Sequence, residues 1–91
     1  MKFIEESTRF FQADEVGKLI AEITFSVAGD HTYIIDHTFV DEQYRGQGLA
    51  QQLVKLVVEK ARAQDKKIIP LCPFAKAEIE GTPAYHDVLR K

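Results

Sequence analysis

The sequence predicts an α+β fold: a mainly antiparallel sheet with one parallel strand pair, joined by a long crossover helix. Three observations predict it. Apolar residues alternate at period two along residues 18–27, at Leu19, Ala21, Ile23, Phe25 and Val27. They then recur at helical spacing from Leu49 to Ala61. A further short apolar run, residues 68–72, follows that helix. Strand, helix and strand in this order make a right-handed crossover between parallel strands.

Each element has a local reason. Residues 2–12 are short and mixed, and Phe3-Ile4 and Phe10-Phe11 suggest two short strands or a single bent one. Asp14, Glu15 and Gly17 mark a turn before the alternating strand. Gly29-Asp30 is a hairpin signal, and the β-branched and aromatic residues 32–40 read as the antiparallel partner. Leu49, Leu53, Leu56, Val57 and Ala61, widened by Val54 and Val58, form the apolar stripe of a helix over 47–64. Asp65-Lys66-Lys67 closes it, and the next strand covers 67–72. Pro70 has no N–H to give to a ladder, so this strand belongs at a sheet edge or leaves its neighbour there. A helix over 74–80 stops at Gly81, and Thr82-Pro83 opens a last helix over 83–89.

The chain has 91 residues, with 12 Lys+Arg against 14 Asp+Glu. That length suits one domain covering 1–91. No apolar run reaches the ~18 residues of a membrane span, and the first residues carry no apolar signal core. One Cys cannot make an internal disulfide, which fits a reducing compartment, and the expected location is the cytoplasm. The slight acidic excess argues against broad nucleic-acid binding. Three His and the one Cys are scattered without ligand spacing, so no metal site is expected.

Chemistry concentrates between the second long strand and the long helix, at Asp41-Glu42-Gln43-Tyr44-Arg45-Gly46-Gln47-Gly48-Leu49-Ala50. The first N–H groups of a helix have no intrahelical partner, and the macrodipole makes that end positive. Gly46 and Gly48 let a ligand approach the backbone, and Arg45 adds charge. The combination suits a phosphate or pyrophosphate. A glycine-rich turn with an incidental Arg is the plain alternative. No Gly-Lys-Ser/Thr follows, and Gln51 stands where a dinucleotide fingerprint needs its third Gly.

Arg45-Gly46-Gln47-Gly48-Leu49-Ala50 fits the pattern R-x-x-G-x-A, with a strand ending Phe39-Val40 before it. This string, in its strand–loop–helix–strand setting, resembles the acyl-CoA motif of the GNAT superfamily of N-acetyltransferases. Asp36-His37-Thr38 and Pro70-Leu71-Cys72-Pro73-Phe74-Ala75-Lys76 look like a compact, single-domain acetyl-CoA-binding subfamily. The resemblance implies acetyl-CoA as cosubstrate, without a metal, and an amine acceptor. It implies pyrophosphate on the N–H groups of Arg45, Gly46, Gln47, Gly48, Leu49 and Ala50. The pantetheine arm would pair with the Phe39-Val40 backbone, where the parallel strands splay apart. Cys72 would lie at the mouth of the splay, with Phe74 and Lys76 lining the channel. Residues 2–27 are too few for the two helices that usually wall the acceptor cleft. The acceptor side is therefore expected to be open, admitting a peptide or protein lysine. The same shortening admits a non-catalytic acyl-CoA-binding module.

Acetyl transfer needs a neutral amine, an oxyanion donor and a proton for the leaving thiolate. His37 is the first candidate base, because imidazole titrates near neutrality and His37 lies on the strand expected to hold the cofactor. Its plain alternative is a structural histidine bonded to Thr38 or Asp36. Glu22, on the adjacent strand, is a second candidate. Cys72 could accept the acetyl group or protonate the thiolate, a helix start just after it favouring the thiolate form. Its alternative is a small buried apolar residue. Tyr85 is a candidate acid, or else packs the last helix with Val88 and Leu89.

Overall fold

The alternating and β-branched segments pair into one sheet of five strands, in sequence order, among the described residues. A computed structural model describes residues 3–90. Met1 and Lys2, where the sequence places the start of the first strand, and Lys91 lie outside the described residues. The strands are β1 (Ile4–Glu6), β2 (Arg9–Ala13), β3 (Leu19–Ala28), β4 (Thr32–Val40) and β5 (Lys67–Pro70). The first four run antiparallel, and β5 joins β4 in parallel through the crossover helix α1 (Leu49–Ala63). Helix α2 (Pro73–Glu80) follows β5.

Both helices cover the same sheet face. The α1 stripe Leu49, Leu53, Val54, Val57, Val58 and Ala61 is buried against Phe10, Ile23, Phe25, Tyr33, Ile35 and Ile68, together with Ala75 and Ile79 of α2. Leu56 sits at the margin of this stripe, half-buried. Polar links agree with the packing: Lys60 of α1 reaches Glu5 of β1 at 2.6 Å, and the Tyr33 hydroxyl meets Gln64 at the helix end.

One irregularity decides which residues face the site. Thr24 and Phe25 are consecutive, yet they pair with His37 and Ile35, so Asp36 is an extra residue in β4. Such a bulge shifts alternation by one position. Tyr33 and Ile35 face the helices; after the bulge that face passes to Thr38 and Val40, which pair with buried Ile23 and Ala21. His37 turns to the opposite face beside Thr24. Simple alternation from Tyr33 and Ile35 would have put His37 in the core.

Several sequence expectations need correction. The strand expected over 67–72 ends at Pro70: the N–H groups of Leu71 and Cys72 both donate to the Ile35 carbonyl, at 3.0 and 3.2 Å, and the chain turns away. Proline then starts α2 one residue earlier than expected, at Pro73. Helix α1 begins at Leu49, not 47, because Gly48 takes a left-handed conformation as its N-cap. The helix expected over 83–89 is only a 3-10 turn, Pro83–Tyr85. Turns continue through Val88, and the chain then runs beside β5, where Ile68 N–H donates to Val88 O at 2.6 Å and Arg90 N–H to Ile68 O at 2.9 Å. Backbone pairing with the sheet wins over a last turn of helix. Val27, expected in the core, is 53% exposed, because no helix covers that end of the β3–β4 hairpin.

Candidate functional site

Where β5 leaves, the second half of β4 loses its neighbour. Pairing to β5 ends at Ile35 opposite Pro70, so residues 37–40 keep β3 on one side and open to a gap on the other. A cleft of about 340 Å³ occupies this gap, lined by His37, Thr38, Phe39, Val40, Arg45, Ala50 and Phe74. It runs into a second of about 540 Å³, over Gly46, Gly48, Leu49, Ala50 and Gln51 at the start of α1. Val40, Arg45, Ala50 and Phe74 line both, so the two form one groove from the helix N-terminus to the strand edge.

The loop at the head of the groove is held from behind. Asp41 accepts from Gln43 N–H at 2.9 Å and pairs with Lys18 at 3.2 Å. The Gln43 hydrogen bond, then Lys18, hold the Asp41 carboxyl below its ordinary range against a smaller opposing effect of burial. Tyr44 N–H closes the 3-10 turn on Asp41 O, and Arg45 Nε donates to Val40 O at 3.4 Å. Gly48, with φ of 77°, supplies no side-chain cap, and the first turn of α1 carries no acid. The leading N–H groups of α1 therefore face the groove uncapped by a side chain. A Cβ placed on Gly48 would meet no protein atom within 4 Å, so the space there is free for a ligand.

At the other end of the groove, Cys72 is 8% exposed and sits just behind the wall made by Thr38 and Phe74. Its Sγ lies 3.2 Å from Thr38 Oγ1. Burial, the largest single influence, pushes the thiol up. Hydrogen bonds from the Thr38 hydroxyl and from the N–H groups of Ala75, Phe74 and Thr38 together outweigh it and hold the thiol below its ordinary value. This is a thiol at a helix N-cap, in a nest of donors.

The remaining predicted residues divide. Phe39 lines the strand-edge cleft; Gln47 and Lys76 are exposed and are not among the residues lining either part of the groove. His37 and Glu22 share the outer sheet face, since Thr24, which pairs with His37, lies two residues from Glu22 on β3. Glu22 is held by Arg9 at 2.7 Å. Tyr85 is not brought to the groove. It lies by Arg62, whose guanidinium donates to Ala84 O at 2.8 Å. Arg62 is in the last turn of α1, ~20 Å along the helix from Leu49. Sequence reasoning missed Thr38 as a groove residue, because only the bulge at Asp36 turns it there.

A family model described as GCN5-related N-acetyl-transferase matches residues 9–88. The chain belongs to this family. Among solved structures, this GNAT chain is similar to a GCN5-like N-acetyltransferase candidate from Staphylococcus aureus, with 36% identity and a TM-score of 0.83 over 98% of this chain and 87% of that one. It is also similar to a GNAT family N-acetyltransferase from Escherichia coli solved in complex with CoA, with 30% identity and a TM-score of 0.65 over 92% of this chain. The GNAT chain spans 51% of that E. coli protein. The ribosomal-protein-S18-alanine N-acetyltransferase from E. coli, at 19% identity and a TM-score of 0.63, shares the fold. No curated protein matches the chain in sequence.

Proposed function

We propose that this GNAT chain binds an acyl-CoA, acetyl-CoA foremost, and transfers the acyl group to an amine. The observation that carries the reading is the continuous groove from the uncapped start of α1 to the free edge of β4. A diphosphate fits the first, where N–H groups and Arg45 converge. An extended amide-bearing arm fits the second, as an added strand would. The E. coli relative with CoA bound supports this ligand class.

The protein's part in the reaction follows from the two faces of β4. The amine nitrogen attacks the thioester carbonyl, and the carbon–sulfur bond breaks. The attacking amine must first be neutral, since an alkylammonium has a pKa of ~10.4. His37 and Glu22, on the outer face, are the groups placed to take a proton there. The leaving thiolate needs a proton on the inner side. Thr38 passes one from Cys72: the hydroxyl gives its proton to the leaving sulfur and takes that of the thiol. The donors around Cys72 then hold the thiolate that remains, which is the sense in which a lowered thiol serves as an acid.

Calorimetric titration with acetyl-CoA tests the binding step: one saturable site is expected, and no heat at millimolar ligand would sink the reading. Acceptor-dependent release of free CoA tests the transfer. Among the described residues no helix covers the outer sheet face, which favours a second reading, a non-catalytic acyl-CoA module. Binding without acceptor-dependent release would decide for it.

A further inference from the structure

Arg45, the cation of the groove, is turned back on its own backbone. Asp41 N–H donates to Ile20 O of β3 at 2.7 Å. In a trans peptide the carbonyl points opposite to the N–H, so the Val40 carbonyl points away from β3, into the gap that β5 leaves. Backbone polar groups alternate in direction along an extended strand, so Val40 N–H and both backbone groups of Thr38 point there as well. Thr38 N–H does so visibly, as one of the donors around Cys72. These four groups are what the free edge of β4 offers to an added strand. Two of them are engaged: Thr38 N–H by the thiol, and Val40 O by Arg45 Nε at 3.4 Å. The second contact is built by the loop. Asp41 accepts from the N–H groups of Gln43 and Tyr44, both at 2.9 Å, and closes the 3-10 turn Glu42–Tyr44, which returns Arg45 to the end of the strand. At 3.4 Å the Arg45–Val40 bond is long and therefore weak, and the Arg45 side chain is exposed.

We infer that Arg45 makes binding of the pantetheine arm depend on the diphosphate, and so selects acyl-CoA over acyl thioesters that carry no phosphate. The inference rests on the acyl-CoA reading above and deepens it. Arg45 lines both halves of the groove, so it stands at their junction. Rotation of its exposed side chain carries the guanidinium from the strand edge to the start of α1. A diphosphate draws it there, because bidentate, charge-assisted bonds to phosphate are shorter and stronger than a long bond to a neutral carbonyl. The move frees Val40 O, beside Val40 N–H, as the acceptor that an amide of the arm needs. Without the anion the arm must displace Arg45 unaided. Two ligand pieces that favour the same position of Arg45 bind with positive coupling, and the coupling is reciprocal. A covalent tether does not produce this effect, since it acts only when the two pieces are joined.

The test separates the two pieces. The probes are S-acetylpantetheine, which has no phosphate, inorganic pyrophosphate and acetyl-CoA, titrated by NMR at matched ionic strength. In the unaltered protein, saturating pyrophosphate is expected to tighten S-acetylpantetheine about three-fold, the scale of one weak hydrogen bond released. Arg45→Met keeps the side-chain stem and removes the donors and the charge. It should bind S-acetylpantetheine about three-fold more tightly than the unaltered protein and no longer respond to pyrophosphate. The same variant should bind acetyl-CoA about ten-fold more weakly. Opposite signs for the two ligands are the signature, since a residue that only contacts phosphate would leave S-acetylpantetheine unmoved. An absent pyrophosphate effect in the unaltered protein overturns the inference without any substitution. So does S-acetylpantetheine binding that is unchanged, weakened or undetectable in Arg45→Met. Either result, with acetyl-CoA still bound by the unaltered protein, leaves the acyl-CoA reading standing. Absent acetyl-CoA binding overturns both.

Discussion

Replacing Gly48 by glutamate separates the backbone's part in the fold from its part in ligand binding. Gly48 has a φ of 77°, and an L-residue held in that region costs ~1–2 kcal/mol. Its new Cβ would meet no protein atom within 4 Å, so no packing loss adds to this. For a domain of this size the thermal midpoint should fall by about 4–16 °C. The ligand sees a second, separate penalty. A carboxylate at the helix start opposes an incoming phosphate: one pair of unit charges 4 Å apart is worth ~4 kcal/mol at an effective dielectric constant of 20. Allowing half of that for salt leaves ~2 kcal/mol, about a 30-fold loss of affinity. Gly29→Glu is the matched control. Gly29 has a φ of 67° and equally open space, but lies in the hairpin at the far end of β4, ~26 Å from Val40. Both variants should lose similar stability by circular dichroism, and only Gly48→Glu should lose acetyl-CoA binding by calorimetry. Unchanged affinity in Gly48→Glu, or an equal loss in Gly29→Glu, would refute the placement of the diphosphate at α1.

Three further outcomes follow from the packing and the titrating groups. Leu53 is fully buried in the α1 stripe, so Leu53→Ala should cost ~3–5 kcal/mol, a large share of a typical domain's stability, read by urea unfolding. Thr38→Val should raise the Cys72 thiol and slow its alkylation at neutral pH, while Thr38→Ser restores both; an unmoved alkylation profile would remove Thr38 from the proton path. Asp41, through the Gln43 N–H and Lys18, and Asp87, through Arg62, hold their protons less tightly folded than unfolded. Their contribution is present above the ordinary carboxylate range and lost as pH falls through and below ~4. Asp41→Asn and Asp87→Asn should flatten the acid limb of a stability–pH curve, and an unaltered limb would contradict the assignment.

The strand-edge cleft shows how far local pattern reaches. Pro70 and the Gly-rich loop both announce it: a residue without an N–H ends a ladder, and glycines before an apolar helix open a ligand-sized space. Cys72 was legible as a residue near that cleft, but its burial behind Thr38 and Phe74 was not. The last helix misled for a related reason. Thr82-Pro83 is a sound helix start, yet residues 88–90 gain more by pairing with Ile68 than by another turn.

Local periodicity, turn residues and the Arg45–Ala50 string were enough to establish the central strands, the parallel crossover and the glycine-led start of α1, because each depends on neighbours within a turn or two of chain. The two sides of the β4 strand were settled elsewhere. A single extra residue, Asp36, hands Thr38 to the helix side and His37 to the open face, and a bulge is visible only in the pairing between β3 and β4. The distance of Tyr85 from the groove is likewise a matter of which end of α1 the C-terminal segment packs against. Both depend on contacts between residues far apart in the chain, which no local pattern encodes.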